Sequence, residues 1–296
     1  MIKILIQIIF ILYMVPSVSA QLDPVDDWNL SGKVKSVTEN SYTGLATGKE
    51  YIKGPKGWSY SWKSDSRIEL DSNGNIIRRT YFDNLAKLIR TDEFTFEKGK
   101  LTRSKILTQT NTFEYDSLGR IKNELYMKGD INLRIIYMHD SKNRVQQKLQ
   151  FNLGNELKTT DNFTYDERNN LILQESIYPG GKDSVVYTYN AKNQLTKTVW
   201  FDETRKIVER TVYEYIEGKV SYQKWEDFEE GKPDGTVEYL YEKGNEKSVV
   251  DIDADGTIAG KETHSYSYDK QGNWIRKVTI IDDEEIFIIE RKIEYY

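Results

Sequence analysis

One segment of the chain matches a known metal-binding pattern. Residues 251–262 read DIDADGTIAGKE, which fits the calcium-loop pattern D-x-[DN]-x-[DN]-G-x5-E. Such a loop needs flanking helices that bring its last glutamate back to the ion. The residues on both sides of this segment alternate as strands do, and Glu262 would then lie roughly 16 Å from the turn. The pattern therefore favours an acidic hairpin turn at 253–257, with a weak cation site from Asp251, Asp253 and Asp255 as the alternative.

Other residues that could support catalysis are few. The chain has two histidines and no cysteine, which excludes thiol catalysis and thiolate metal sites. His139 falls in a column of aromatic residues and is expected to pack, and His264 has no nucleophile at a recognisable spacing. The acidic runs 226–227 and 282–285 could supply a glycosidase pair, but both lie near predicted turns, where charges usually face water. We predict no enzymatic activity, no resident metal and no cofactor.

The beginning of the chain is typical of an export signal. Residues 1–20 contain Lys3, an apolar run from Ile4 to Val15, and the small residues Val18-Ser19-Ala20, as in a cleaved signal peptide. The sequence thus predicts an exported protein that is periplasmic, at the outer surface or secreted, without a membrane span after cleavage. The formal net charge of −5 argues against a nucleic-acid partner, because phosphate binding needs a basic face.

A repeated turn organises most of the chain. Six segments share the same order of residue types. Each begins with two aromatic or apolar residues at alternate positions, followed directly by an Asp or Asn. A Gly or Asn comes three positions after that residue, and an apolar residue comes two positions later still. They are IELDSNGNI (68–76), FEYDSLGRI (113–121), YMHDSKNRV (137–145), FTYDERNNL (163–171), YTYNAKNQL (187–195) and YSYDKQGNW (266–274). The Asp or Asn can hold the turn through backbone N–H groups, and the Gly or Asn tolerates the positive φ that ends it. These features predict a hairpin repeat.

Two further kinds of turn complete the pattern. A shorter form of the repeated turn occurs at 94–101, 213–220 and 239–246. A second, looser turn lies between units, at 128–132, 153–157, 179–183, 202–206 and 282–286. Each unit then supplies two strands, which gives roughly 18–20 in all. We predict one all-β domain, an antiparallel hairpin meander that forms a long twisted or curled sheet over 67–296. Segment 21–66, with a strand at 32–42, a Gly-rich loop at 44–57 and the aromatic motif WSYSW at 58–62, would cap the first edge of the same sheet.

The turns resemble a known family. Residues 115–121, YDSLGRI, are similar to the YD repeat of Rhs-type proteins, and the opening WNLSGKVKSVTENSY and closing IIERKIEYY resemble the ends of small exported YD-repeat proteins of Gram-negative bacteria. The resemblance covers most of 67–296 and implies a curved β wall with a sugar-binding or cell-surface role. The chain has too few repeats to enclose a toxin, so a delivery function is not implied.

A second aromatic column, that is, a position occupied by an aromatic residue in successive units, lies just before the looser turns. Its predicted ligand-binding members are Tyr81, Tyr126, Tyr178, Trp200 and Trp225, and Phe151 falls in the same column. Stacked on neighbouring hairpins, such rings would suit the C–H faces of sugars while polar neighbours bind hydroxyl groups. The alternative is that they stabilise the sheet by cross-strand packing. We expect an extended binding surface for envelope or extracellular carbohydrate, or, alternatively, a structural scaffold that binds a surface protein.

Overall fold

The computed structural model describes residues 30–57, 65–229 and 231–296, and the regular structure in this part is all β-strand. The strands are β1 (Val34–Thr47), β2 (Glu50–Lys56), β3 (Asp65–Leu70), β4 (Ile76–Phe82), β5 (Leu88–Glu97), β6 (Lys100–Ile106), β7 (Gln109–Tyr115), β8 (Ile121–Lys128), β9 (Ile131–His139), β10 (Val145–Asn152), β11 (Leu157–Tyr165), β12 (Leu171–Tyr178), β13 (Gly181–Tyr189), β14 (Leu195–Phe201), β15 (Ile207–Ile216), β16 (Lys219–Glu229), β17 (Lys232–Glu242), β18 (Asn245–Asp253), β19 (Ile258–Tyr268), β20 (Trp274–Ile281) and β21 (Glu285–Tyr295). No helix within these ranges is long and apolar enough to cross a membrane. The predicted signal peptide 1–20 and the motif at 58–62 lie outside the described residues.

The long turns have the predicted chemistry. At the turn between β7 and β8, the backbone N–H groups of Leu118 and Arg120 both donate to Asp116 Oδ1 at 2.9 Å. Gly119 has a φ of 79°, in the region that glycine and asparagine tolerate. The same pair of bonds recurs at the other five long turns, and each predicted Gly or Asn has a positive φ. The hairpin repeat is confirmed.

Neighbouring turns are also tied to one another. Arg120 Nη1 donates to Asn143 Oδ1 in the next long turn at 2.8 Å, and Arg144 Nη1 donates to Asn169 Oδ1 at 3.0 Å. The tyrosines that directly precede the repeated turns add a second kind of hydrogen bond between units. The hydroxyl of Tyr165 donates to the carbonyl of Val145, one unit earlier, at 2.8 Å. Tyr115 and Tyr215 make the equivalent bond to Leu101 and Leu195. These bonds set the spacing between successive hairpins along one end of the sheet.

The sheet is closed, which corrects the predicted long twisted or curled sheet. Strands β3 to β21 pair antiparallel in chain order. Strand β1 pairs with β21 along one side and, through residues 36–39, with β3 along the other. All 21 strands except β2 therefore form a closed antiparallel barrel of 20 strands. The N-terminal segment does not cap one edge but joins both, so neither edge of the meander is left exposed.

Glu39 lies at this closure and binds both neighbouring strands. Arg291 Nε on β21 donates to Glu39 Oε1 at 2.7 Å, and Ser66 Oγ on β3 donates to Glu39 Oε2 at 3.1 Å. Beside it, Val37 and Ile68 are directly opposite each other and fully buried. The seam thus combines an apolar contact with a charge-assisted hydrogen bond, which is stronger than a neutral one.

Residues 44–56 form a β-hairpin rather than the predicted Gly-rich loop. The end of β1 pairs with β2 as a hairpin, and this hairpin reaches back over β20 and β21. Lys53 Nζ lies 2.7 Å from Glu290 Oε2, and Arg276 donates to the carbonyl of Tyr51. A side chain at Gly44 would collide with Ile286. The prediction was wrong because three of the four glycines, 44, 54 and 57, mark close approaches of the backbone to a neighbour. Only Gly48 lies in the turn between the two strands.

The two faces of the sheet differ in composition. One face, here called the aromatic face, carries the tyrosine columns and three apolar clusters centred on Ile121, Leu171 and Val37. Each cluster joins strands that are neighbours in the sheet. The opposite face, here called the charged face, carries ion pairs such as Arg78 with Glu69, Lys182 with Glu175, and Arg210 with Glu226. This alternation follows from the period of two along every strand.

Candidate functional site

The five predicted ligand-binding residues all lie on the aromatic face. Tyr81 is opposite Ser66 and Arg90, Tyr126 is opposite Leu133, and Tyr178 is opposite Gly181. Trp200 and Trp225 are opposite Val185 and Thr211. Phe151, from the same column, is on the charged face, where the guanidinium of Arg134 lies 4.9 Å from its ring.

The five rings do not form one continuous ladder. Tyr126 packs against the cluster around Ile121, and the hydroxyl of Tyr178 donates to Asp183 in its own hairpin at 2.8 Å. Three strands separate Tyr126 on β8 from Tyr178 on β12. Tyr178 and Trp200 are opposite positions of β13 that are four residues apart, Gly181 and Val185. Trp200 on β14 and Trp225 on β16 are nearer to each other, because they are opposite positions of β15 that are only two residues apart. The predicted row of rings is thus reduced to one pair of indoles.

Two carboxylates lie beside these indoles. Glu209 on β15 is directly opposite Trp200 on one side and Asp227 on the other. Side chains at directly opposite positions have their Cβ atoms about 4.5–5.5 Å apart. We call Trp200, Glu209, Trp225 and Asp227 the tryptophan patch. All four are half-buried, so each has both neighbours that hold it and a surface open to solvent.

The electrostatics of the tryptophan patch follow from this arrangement. Burial raises the pKa of Glu209, the indole of Trp225 opposes the rise by donating a hydrogen bond to the carboxylate, and the charge of Asp227 adds to it. The only hydrogen bond to the Asp227 side chain within the described ranges comes from the backbone N–H of Phe228. The patch therefore offers carboxylate oxygens as acceptors beside two flat apolar rings.

The acceptor surface continues onto the next strands. Gly235 on β17 is opposite both Asp227 and Asp253, and Val237 is opposite Trp225 and Asp251. Because Gly235 has no side chain, no side chain stands between the two aspartates across the strands. Burial raises the pKa of Asp251, and the charge of Asp253 adds to that effect.

The second aromatic column predicted the two indoles of this patch but not Glu209. Asp227 could have been assigned to it, because it follows Trp225 by two residues and so shares its face. Glu209 is brought there only by the register between β14 and β15, which no local pattern indicates.

The acidic turn at 253–257 is a hairpin, as predicted. The N–H of Asp253 donates to the carbonyl of Thr257 at 2.9 Å, and Gly256 has a φ of 86°. The Asp255 carboxylate accepts from the backbone and the hydroxyl of Thr257. In the part of the chain that the structure describes, no three carboxylate or histidine side chains are grouped so as to hold a metal ion. The alternative of a cation site from Asp251, Asp253 and Asp255 gains no support from this geometry.

The two histidines lie on the aromatic face. His139 is opposite Val145 at a long turn, and burial lowers its pKa. His264 is buried, with Nδ1 3.1 Å from Thr279 Oγ1. Its Nε2 lies 3.9 Å from carboxylate oxygens of both Glu246 and Glu262.

The structure places the two acidic runs in a strand and at a turn. Glu226 and Asp227 point to opposite faces, and Glu226 is held by Arg210 at 2.5 Å and by Lys224 at 3.2 Å. In the run 282–285, Asp282 accepts the backbone N–H of Lys261 at 2.8 Å, and the run forms the turn between β20 and β21.

Comparisons with known proteins give distant similarities only. No family model and no curated protein matches the chain. A porin-like protein from Bacteroides uniformis ATCC 8492 is 8% identical, with 90% of this chain and 98% of that chain covered and a TM-score of 0.36. A porin-like protein from Bacteroides vulgatus ATCC 8482 is 11% identical, with 89% and 98% covered and a TM-score of 0.31. Similarity at this level is too low to indicate a shared fold or function.

Proposed function

We propose that this protein is an exported, non-enzymatic carbohydrate-binding protein, and that the tryptophan patch is its ligand site. The observation that carries the proposal is the placement of two half-buried indoles on one face, separated by one strand, with Glu209 on that strand opposite Trp200 and Asp227 two residues after Trp225. In this proposal the YD-like repeats are the frame that fixes the register of these strands.

The chemistry of the patch suits a sugar. The C–H face of a pyranose ring packs on an indole, and its hydroxyl groups donate hydrogen bonds to nearby carboxylates. Asp227 has acceptor capacity that the described residues leave unused, and Glu209 is held in place by Trp225. Opposite positions on neighbouring strands are about 4.8 Å apart, so one sugar unit spans the distance from an indole to a carboxylate.

The same geometry favours binding over hydrolysis. Glycosidases place two carboxyl groups on either side of the scissile bond. Glu209 and Asp227 project side by side from one face of the sheet, and a sugar on the indoles would have both carboxylates beneath it. Neither residue then occupies the far side of the glycosidic bond. We therefore propose that a bound glycan is recovered intact.

The charged face supports an environment of water or of a polar partner. It carries ion pairs such as Arg78–Glu69 and Lys182–Glu175, with exposed apolar side chains such as Ile177 and Val186 among them. Surfaces that meet lipid carry an apolar band instead, because a charge at the bilayer midplane is costly. We propose that this face stays in contact with water in the periplasm or outside the cell.

A glycan-array screen of the purified protein, with and without calcium, tests the proposal. We expect specific binding to at least one glycan class that is independent of calcium. The double variant Trp200→Ala/Trp225→Ala should lose at least about tenfold in affinity, which is about 1.4 kcal/mol, with nearly unchanged melting. Tyr222→Ala is the matched control, because Tyr222 is a half-buried aromatic residue on the opposite face of the same strand as Trp225.

Two results would favour a structural scaffold instead. One is a blank array over well-folded protein, which would point to a protein partner. The other is a loss of stability in the double variant on the order of 3–5 kcal/mol per tryptophan, as expected for core residues. Release of new reducing ends from a bound glycan would contradict the non-enzymatic proposal.

A further inference from the structure

A second group of charged side chains lies on the aromatic face, away from the tryptophan patch. Arg79 on β4 is directly opposite Asp92 on β5, and Arg90 on β5 is directly opposite Tyr81 on β4. We call Arg79, Arg90 and Asp92 the arginine patch. The strand period of two puts all three on the same face as Tyr81.

Each guanidinium group of the patch lies against an aromatic ring. The Cζ atom of Arg90 is 4.1 Å from the centre of the Tyr81 ring, and that of Arg79 is 5.6 Å from the centre of the Phe94 ring. Stacking of this kind holds the planar group while its N–H bonds point outward along its edge. A guanidinium so held is oriented for a bidentate contact with a planar or tetrahedral oxyanion.

The patch contains buried polar atoms whose hydrogen bonds the described residues do not satisfy. The Asp92 side chain is 3% exposed; its Oδ2 lies 3.4 Å from Arg90 Nη2, a long contact, and its Oδ1 has no partner. The Nε atoms of Arg79 and Arg90 are also buried and without a partner in these ranges. Buried donors and acceptors are nearly always hydrogen-bonded in folded proteins, and this combination suits a ligand that supplies both an acceptor and a donor.

The charges specify the sign of that ligand. Two guanidinium groups and one carboxylate leave one net positive charge on the patch. The neighbouring acids Glu69 and Glu93 belong to the charged face, where Glu69 pairs with Arg78 at 3.1 Å. The side chains next to the patch on the aromatic face, Ser66 and Ile68, are uncharged.

We propose that the arginine patch binds the oxyanion of a hydroxyl-bearing ligand. The oxyanion accepts from Arg79 and Arg90, and a neighbouring hydroxyl of the same ligand donates to Asp92 Oδ1. A sugar acid carries both groups on one ring, whereas sulfate supplies only acceptors. The site lies on β4 and β5, apart from Trp200 and Trp225 on β14 and β16, so it stands whether or not the tryptophan patch binds glycans.

Isothermal titration of the purified protein with three probes tests this assignment. The probes are D-glucuronate, D-glucose as its neutral counterpart, and inorganic sulfate. We expect glucuronate to bind at least about tenfold more tightly than glucose and more tightly than sulfate. Arg79→Gln and Arg90→Gln should each weaken glucuronate binding by about tenfold or more. Arg78→Gln is the matched control, because Arg78 is the adjacent residue on the same strand but faces the opposite side.

Asp92→Asn tests the contact with the ligand hydroxyl separately from the contact with its oxyanion. We expect it to reduce the preference for glucuronate over sulfate, because the amide presents a donor or a weaker acceptor to the hydroxyl. Equal binding of glucuronate and sulfate would overturn the role of Asp92 and leave an inorganic oxyanion as the ligand. Absence of binding by both anions, or binding that both arginine variants leave unchanged, would overturn the site.

A measurement on the unaltered protein covers the case in which a variant does not fold. The Nε–H resonances of arginine side chains report directly on their hydrogen bonds. Addition of glucuronate should shift those of Arg79 and Arg90 and leave that of Arg78 in place. Unchanged Arg79 and Arg90 resonances at saturating glucuronate would contradict the assignment.

Discussion

Substitution of Gly119 by valine tests the turn chemistry on which the fold depends. Gly119 has a φ of 79°, and a β-branched residue held in this region costs about 1–3 kcal/mol. A Cβ atom there would also lie 1.9 Å from Lys100 Nζ and 3.2 Å from Lys100 Cε. Lys100 donates to the carbonyl of Gly119 at 2.7 Å, and moving the lysine away would lose about 0.5–1.5 kcal/mol more. We expect a total loss of roughly 2–4 kcal/mol.

Gly74 provides the matched control for this prediction. It occupies the same position in its own long turn with a φ of 86°, and a Cβ atom there would meet nothing within 4 Å. Gly74→Val should therefore show only the backbone cost, about 1–3 kcal/mol. Urea unfolding of both variants and the parent would measure the difference from the midpoints at constant m. A midpoint for Gly119→Val equal to that of the parent would refute the turn assignment, and equal losses in the two variants would refute the role of Lys100.

Three further predictions concern the closure, the core and the turns. Glu39→Ala removes one acceptor of the buried Arg291 guanidinium at the seam, and we expect a loss of about 1–3 kcal/mol in chemical unfolding. An unchanged unfolding midpoint would contradict the role of Glu39 in the closure. Tyr137→Phe removes the hydroxyl that donates to the buried carboxylate of Glu124 at 2.7 Å. Calorimetry should show that the free energy of unfolding falls by about 1–3 kcal/mol. An unchanged melting temperature would be inconsistent with this hydrogen bond. The backbone N–H and then the side chain of Arg120 lower the pKa of Asp116 from its ordinary 3.8. A lowered folded-state pKa contributes stability above pH 3.8 that is lost as the pH falls through the lowered value. Circular dichroism from pH 5 to 2 should therefore show that Asp116→Asn reduces the dependence of stability on acid. A pH profile identical to that of the parent would argue against this role of Asp116.

The hairpin repeat was predictable because its determinants are local. An Asp or Asn that binds N–H groups two and four residues later, and a Gly or Asn with positive φ, are specified within seven residues of chain, as at 115–121. The alternation of apolar and polar residues along each strand is equally local. The all-β meander and the turn at 253–257 therefore followed from the sequence.

The closure and the binding surfaces are decided by contacts between distant parts of the chain. Strand β1 fits between β3 and β21 because Glu39 meets Arg291, 252 residues away, and no local pattern carries that information. Register likewise decides that Glu209 lies between Trp200 and Asp227, and that Arg79 faces Asp92. A shift of one residue in either pairing would move these side chains to the other face. The sequence by itself determined the hairpins and their turns, whereas the tertiary structure decided which side chains meet, because pairing register and closure depend on the whole sheet.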